Sequence, residues 1–274
     1  MPEVVKTHIE TDGIVIKEQS VGETDRLITV LTSKYGLIRA FVSGAKTIKN
    51  KNLAGTGLLA YSDFVFYKGA DAYNVNSAIE KEIFFDLREN IDNLSIAFYL
   101  AELFGELAPE TAECEDLLKL LLNSIYLLSK NKVNALQVKS VAELRSVAMS
   151  GYAPNLIACE ECGAFESDPM YFDIKNGNLH CKDCMVGNSQ SDDGIPQTNA
   201  EYISMGLNAW QIPISISTVT AMRHIIYSEP KKIFDFKLTD KAQLELTTVT
   251  ESYALEHTDR HFKTLDFYKS LQGI

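Results

Sequence analysis

The sequence predicts an α+β protein built from an N-terminal five-stranded β-barrel, an α-helical domain and a four-cysteine module inserted among the helices. Three observations carry this reading. Over the first 80 or so residues, short runs rich in Val, Ile, Phe and Tyr recur between turn residues. From about Asn90 the apolar period becomes that of helices. Four cysteines then form two Cys-x2-Cys pairs separated by 18 residues. The bulk properties agree: 274 residues, 46% hydrophobic, 23% charged and a mean hydropathy of -0.06 describe a globular chain, not a disordered one. At roughly 100 to 200 residues per domain, that length makes about two domains.

The expected strands are Gly13 to Gln19, Leu27 to Thr32, Leu37 to Ser43, Ser62 to Lys68 and Tyr73 to Glu80. Turn signals separate them at Val21-Gly22, Tyr35-Gly36 and Lys68 to Asp71. Five short strands in about 70 residues fit a small closed barrel, and the five-stranded OB-fold is the form that matches. The long connection from Gly44 to Tyr61 has room for a short helix or a loop. Helices follow. Ile91 to Leu107, Leu117 to Leu128, Leu136 to Met149, Ser217 to Tyr227 and Lys241 to Leu271 carry apolar residues at helical spacing, the last with one break. Pro109 and Gly151 to Pro154 punctuate them. The expected segments are residues 1–82 for the barrel, 83–158 for the first part of the helical domain, 159–195 for the cysteine module and 196–274 for the second helical part.

Cys159, Cys162, Cys181 and Cys184 match a four-thiolate zinc pattern, since each knuckle aims two sulfurs at one point and two knuckles complete a tetrahedron. With all four positions filled by protein, the single Zn2+ expected per chain is structural. An odd total of five cysteines argues against a secreted disulfide framework. Cys114 is expected to be a packing residue, and His180 a bystander to the second knuckle.

The net charge of -11 argues at first against nucleic acid. Its distribution reverses that. The first 83 residues are neutral, and the stretch from Arg26 to Ser62 contains Arg26, Lys34, Arg39, Lys46, Lys49 and Lys51 with no acidic residue. Screening acts over roughly 8 Å at physiological salt, so a phosphate would respond to this stretch and not to the distant total. Tyr35, Phe41, Tyr61, Phe64, Phe66, Tyr67 and Tyr73 supply stacking candidates, about half of which strand alternation must bury.

Enzyme motifs are missing. Ser43 to Thr47 lacks the glycines of a phosphate-binding loop, and His257 and His261 lack the intervening Glu of a zinc protease helix. No catalytic residue is therefore assigned, and the chain is expected not to be an enzyme. It has no run of about 18 apolar residues and no hydrophobic leader in MPEVVKTHIETDG, so it is expected in the cytoplasm and not in a membrane.

Several short motifs, taken in order, resemble the bacterial DNA repair and recombination mediator family RecO. They are Gly22-Glu23-Thr24-Asp25-Arg26, Tyr35-Gly36 with Ser43 to Lys46, Tyr99 to Leu103, Gly151 to Pro154 and the four cysteines. The resemblance runs over nearly the whole chain. It implies an OB-fold, a helical domain and a zinc module. It also implies a bacterial, nucleoid-associated protein that binds single- and double-stranded DNA and anneals complementary strands. The implied partners are the C-terminal tail of single-stranded DNA-binding protein, RecR and, indirectly, RecA. The basic cluster here, Lys46, Lys49 and Lys51, is sparser than in many relatives. The competing expectation is a zinc-containing protein adaptor that touches no nucleic acid.

Overall fold

The computed structural model describes residues 8–47, 50–69, 72–187 and 210–273. The chain forms two compact units, one of residues 1–135 with 262–274 and one of residues 136–261.

The first unit opens with a closed barrel in the order β1-β2-β3-β5-β4. The strands are β1 (His8–Val21), β2 (Asp25–Thr32), β3 (Gly36–Val42), β4 (Ala60–Lys68) and β5 (Tyr73–Ile83). Closure depends on the length of β1. Its first half pairs with β4 and its second half with β2, while a short parallel pairing of Ala40 with Tyr73 and Phe41 with Asn74 joins β3 to β5. A bulge between Val15 and Lys17 bends β1 between its two partners. Strict alternation fills the interior: Val15, Ile28, Val30, Ile38, Ala40, Val42, Phe64 and Phe66 form the core, and Ile9, Tyr73 and Val75 lean on it.

The expected strands are all present, one to five residues longer at some ends. No helix occurs among the described residues of the β3–β4 connection, which is a chain of turns fixed by bonds such as Thr56 N–H to Asn52 O.

A 3-10 turn (Phe85–Glu89) leads into α1 (Ile91–Leu107), α2 (Glu115–Lys130) and, from the far end of the sequence, α7 (Lys263–Gln272). Asn90 starts α1 by accepting from the Asp92 and Asn93 amides. Pro109 follows its end, and Asn131 in the left-handed region ends α2. The connection between α1 and α2 docks on the β2–β3 turn through Leu37 N–H to Pro109 O (3.2 Å) and Cys114 N–H to Ser33 O (2.8 Å). Gly36 makes this approach possible, because at φ +67° any Cβ would collide with the Pro109 carbonyl.

The second unit contains α3 (Ala135–Met149, whose first residue lies in the first unit), β6 (Asn155–Cys159), β7 (Met170–Asp173), β8 (Asn178–Cys181), α4 (Lys182–Gly187), β9 (Gln211–Ile214), α5 (Ile216–Tyr227) and α6 (Asp240–Thr258). Its sheet runs β6-β8-β7-β9, an element the helical periodicity did not predict. The predicted break in the last helical stretch falls after Asp259, which caps α6 at φ 47°.

Inside this unit Lys139 of α3 is fully buried between Glu143 (2.7 Å) and Glu251 (2.9 Å), and Thr250 donates to Glu143 (2.9 Å). Burial opposes its charge, but the two carboxylates outweigh that and raise the pKa above the usual lysine value. Among the described residues no helix is long and apolar enough to cross a membrane.

Candidate metal centre and nucleic-acid interface

The four predicted cysteines converge. Cys159 ends β6, Cys162 sits in the following turn, Cys181 ends β8 and Cys184 lies in α4. The first knuckle folds on itself through Cys159 N–H to Ala164 O (2.8 Å) and Gly163 N–H to Cys159 O (3.0 Å), with Gly163 at φ +75°. In the second, Cys184 N–H points at the Cys181 sulfur (3.4 Å).

All four Sγ atoms lie within 4.8 Å of one another, and Cys162 and Cys181 are 3.5 Å apart. A tetrahedral ion with Zn–S bonds of about 2.3 Å needs sulfurs about 3.8 Å apart, so the cluster is close to the required size. The electrostatics agree. Burial opposes ionisation of Cys159, yet hydrogen bonding to the backbone of Cys162, Cys181 and Glu161 outweighs it and brings the thiol down to about 7. Cys184 is pushed the other way, because hydrogen bonds to the adjoining Cys181 and Cys162 sulfurs favour its protonated thiol. Such a set suits one bound divalent cation, which would draw all four sulfurs into the thiolate form.

His180 stands outside this group, its Nδ1 3.5 Å from Glu161. Cys114 is buried before α2. His257 packs between the rings of Tyr152 (4.8 Å) and Tyr253 (4.2 Å), whereas His261 is exposed, and neither joins a metal-sized cluster among the described residues.

The basic stretch is spread over the barrel. Arg26 and Lys46 share one end, where Lys46 Nζ reaches Gly22 O (3.4 Å) and Lys46 N–H bonds Thr24 O (3.0 Å), tying the β3–β4 connection to the β1–β2 turn. Gly44 N–H donates to Asp25 (2.8 Å), and that bond holds the Asp25 carboxyl below its usual range. Lys51 is exposed on the same connection, and Lys49 lies outside the described residues. Arg26 carries an exposed pair with Glu18 (3.3 Å), the kind that contributes little and exchanges readily. Lys34 is exposed beyond the other end of β2, a strand of eight residues and therefore about 25 Å long.

Arg39 stands between these ends on the outer surface. There the register sets two cross-strand rows, Lys17, Thr29 and Arg39 in one and Gln19, Leu27 and Phe41 in the other. Lys17, Arg39 and Phe41 are exposed, so cations and an aromatic ring share one face. Of the stacking candidates, Phe64 and Phe66 are core, Tyr61 donates to Asp12 (2.6 Å), and Tyr35 and Phe41 remain open.

Alongside runs a groove of about 590 Å³ whose walls include Lys17, Arg39, Phe98, Glu102 and Lys263. A second, of about 450 Å³, shares Leu58 and Phe98 with it and is rimmed by Arg26 and Arg88. Lys17 was hidden in the sequence because Glu18 separates it from the acid-free stretch; strand alternation was the signal that could have found it. Arg88 and Lys263 come from distant helical segments and had none.

Comparison with known proteins follows the same outline. Residues 6–84 match the family profile described as Recombination protein O N terminal, and residues 88–200 match Recombination protein O C terminal. The chain is 34% identical over 267 residues to the DNA repair protein RecO of Acetivibrio thermocellus, covering 97% of this chain and 98% of that protein. It is 31% identical to that of Alkaliphilus metalliredigens over 96% and 99% of the two chains, and 27% identical to that of Clostridium acetobutylicum over 93% and 94%.

Proposed function

The chain belongs to the RecO family of DNA repair and recombination proteins, and from that membership we propose that it is a recombination mediator that binds DNA on its barrel and anneals complementary strands. The observation that carries this is the outer face of β1, β2 and β3, where Lys17 and Arg39 flank Thr29 and Phe41 lies one row away, continuing to Arg26 and Lys46 at the barrel end. Single strands bind OB-folds on this face and on the loops beside it, with phosphates on cations and bases on aromatic rings. Arg26, Arg39, Lys46, Lys49 and Lys51 are assigned to phosphate contacts, with Lys34 serving a strand that runs past the opposite end. Double-stranded DNA would use the cations without the stacking. No covalent step is involved.

The proposed partners are RecR, the acidic, hydrophobic-ended tail of single-stranded DNA-binding protein and, through them, RecA. A tail of that kind needs an apolar pocket with a cationic rim, and the groove between the barrel and α1 offers Leu58 and Phe98 below Arg26 and Arg88. The basic residues of the first helices do not line that groove: Lys119 pairs with Glu115 (2.6 Å), Lys130 with Asp86 (2.5 Å), and Lys132 Nζ lies 5.3 Å from the Tyr126 ring, while Arg145 of α3 is engaged by the Ile225 and Ile226 carbonyls. The four cysteines would hold one structural zinc, and the setting is the bacterial cytoplasm at the nucleoid.

A salt titration with labelled single strands tests the DNA reading. If three to six phosphates are contacted, the log-log slope should be about -2 to -4, a loss of roughly 20- to 300-fold between 50 and 200 mM salt. Replacing Lys46, Lys49 and Lys51 together by Ala should flatten the slope by up to about 2 units and reduce annealing. A wild-type protein that binds no DNA at low salt would instead be the protein-only adaptor.

A further inference from the structure

The two knuckles of the metal centre are held in different ways. The second grows out of regular structure, since Cys181 ends β8 in register with Met170 of β7 and Cys184 follows on α4. The first does not. β6 pairs with β8 only at Asn155 with Asn178 and at Cys159 with Leu179, so residues 156–158 bow away from the ladder just before the first ligand. Their backbone groups need other partners, because an unmet polar group costs about 1 to 3 kcal/mol when buried.

Arg223 of α5 supplies them. Its Nε donates to Leu156 O (2.6 Å), and its Nη2 donates to Ile157 O (2.9 Å) and Phe165 O (2.8 Å). The guanidinium carbon also lies 3.9 Å from the centroid of the Phe165 ring. One turn on, the Tyr227 hydroxyl accepts from Leu156 N–H (3.2 Å). Leu156 and Ile157 enter the knuckle and Phe165 leaves it, so one rigid planar group closes both ends of the loop that carries Cys159 and Cys162. Only guanidinium has the fork for this; the ammonium of lysine is a point donor on a flexible stem.

We propose that Arg223 is a positioning residue for the metal centre, fixing the first knuckle so that its two sulfurs are converged before the ion arrives. The inference rests on the zinc reading of the four cysteines. Its effect falls on the metal: an unbraced loop must be ordered at each binding event, which weakens binding and hastens release.

The test measures zinc content of the full chain, then zinc transfer to a chromogenic chelator, for wild type, Arg223→Gln, Arg223→Lys and Arg145→Gln. Arg145 is the control because it also donates to carbonyls of α5, yet touches no part of the knuckle. Arg223→Gln should lose about 10- to 100-fold in zinc affinity, the size seen when residues that orient ligands are removed, with faster release to match. Arg223→Lys should recover part of that, and Arg145→Gln should lower thermal stability while leaving release at the wild-type rate. Release from both Arg223 variants at the wild-type rate, or equal acceleration in Arg145→Gln, would overturn the proposal. Wild-type protein with no stoichiometric metal would instead remove the zinc reading itself and the inference with it.

Discussion

Cys159 and Cys184 differ in their readiness to ionise although their sulfurs belong to one cluster, and the cause is local: backbone hydrogen bonds gather at Cys159, while Cys184 faces another sulfur. A divalent ion would resolve this by binding all four as thiolates and releasing their protons. Metal analysis of protein purified without chelator should therefore give one zinc per chain, and Cys184→Ser should give markedly less. At free zinc 1,000-fold above the dissociation constant, the ion contributes about 4 kcal/mol, so chelation should lower the unfolding midpoint of the second unit by a corresponding amount. The clustering of these four cysteines was legible in the sequence because knuckle spacing alone brings the sulfurs of each pair together. Arg223 was not, since nothing in the run Ala221-Met222-Arg223-His224 distinguishes a loop brace from a solvated cation.

Helix α5 starts on a device contributed by another helix. Glu245 of α6 accepts from the Ser215 amide (2.9 Å), the Ser215 hydroxyl (2.7 Å) and the Thr218 hydroxyl (2.6 Å), placing a carboxylate at the positive end of α5. Burial raises its pKa, but the bonds from Thr218 and Ser215 outweigh this and leave it below the usual 4.5. A depressed carboxyl contributes stability that is complete above the unfolded-state value and disappears as pH falls through the folded one. Glu245→Gln should thus cost about 1 to 2 kcal/mol at neutral pH, and the difference should shrink below about pH 4.5, as read by urea denaturation at several pH values. A difference that persists unchanged in acid would contradict the assignment. At this scale the barrel strands were legible because alternation of period two is a local signal. The four-stranded sheet of the second unit was not: β7 and β8 have four residues each, too few for a period, and β6 is broken by its bulge.

Chain order and spatial order part company at the C-terminus. The last helix belongs to the unit that contains the barrel, where Phe262 meets Tyr99 edge-on at 5.7 Å and Glu102 accepts from Thr264 (2.5 Å). Phe262, Leu265 and Tyr268 are all buried, and at about 1.5 to 3 kcal/mol each their loss approaches the whole stability of an ordinary domain. Deleting residues 262–274 should therefore loosen α1 and the barrel together, seen as faster hydrogen exchange in Ile91–Leu107, whereas exchange in the second unit should change little.

The sequence by itself determined the barrel strands, most of the helices and the two cysteine knuckles, because each follows from a repeat or spacing that a few consecutive residues complete. Only the tertiary structure decided where the cations stand, how β6 is braced and which unit owns the last helix. Those depend on contacts between residues far apart in the chain, such as Arg223 with Leu156 and Phe262 with Tyr99, for which no local period exists.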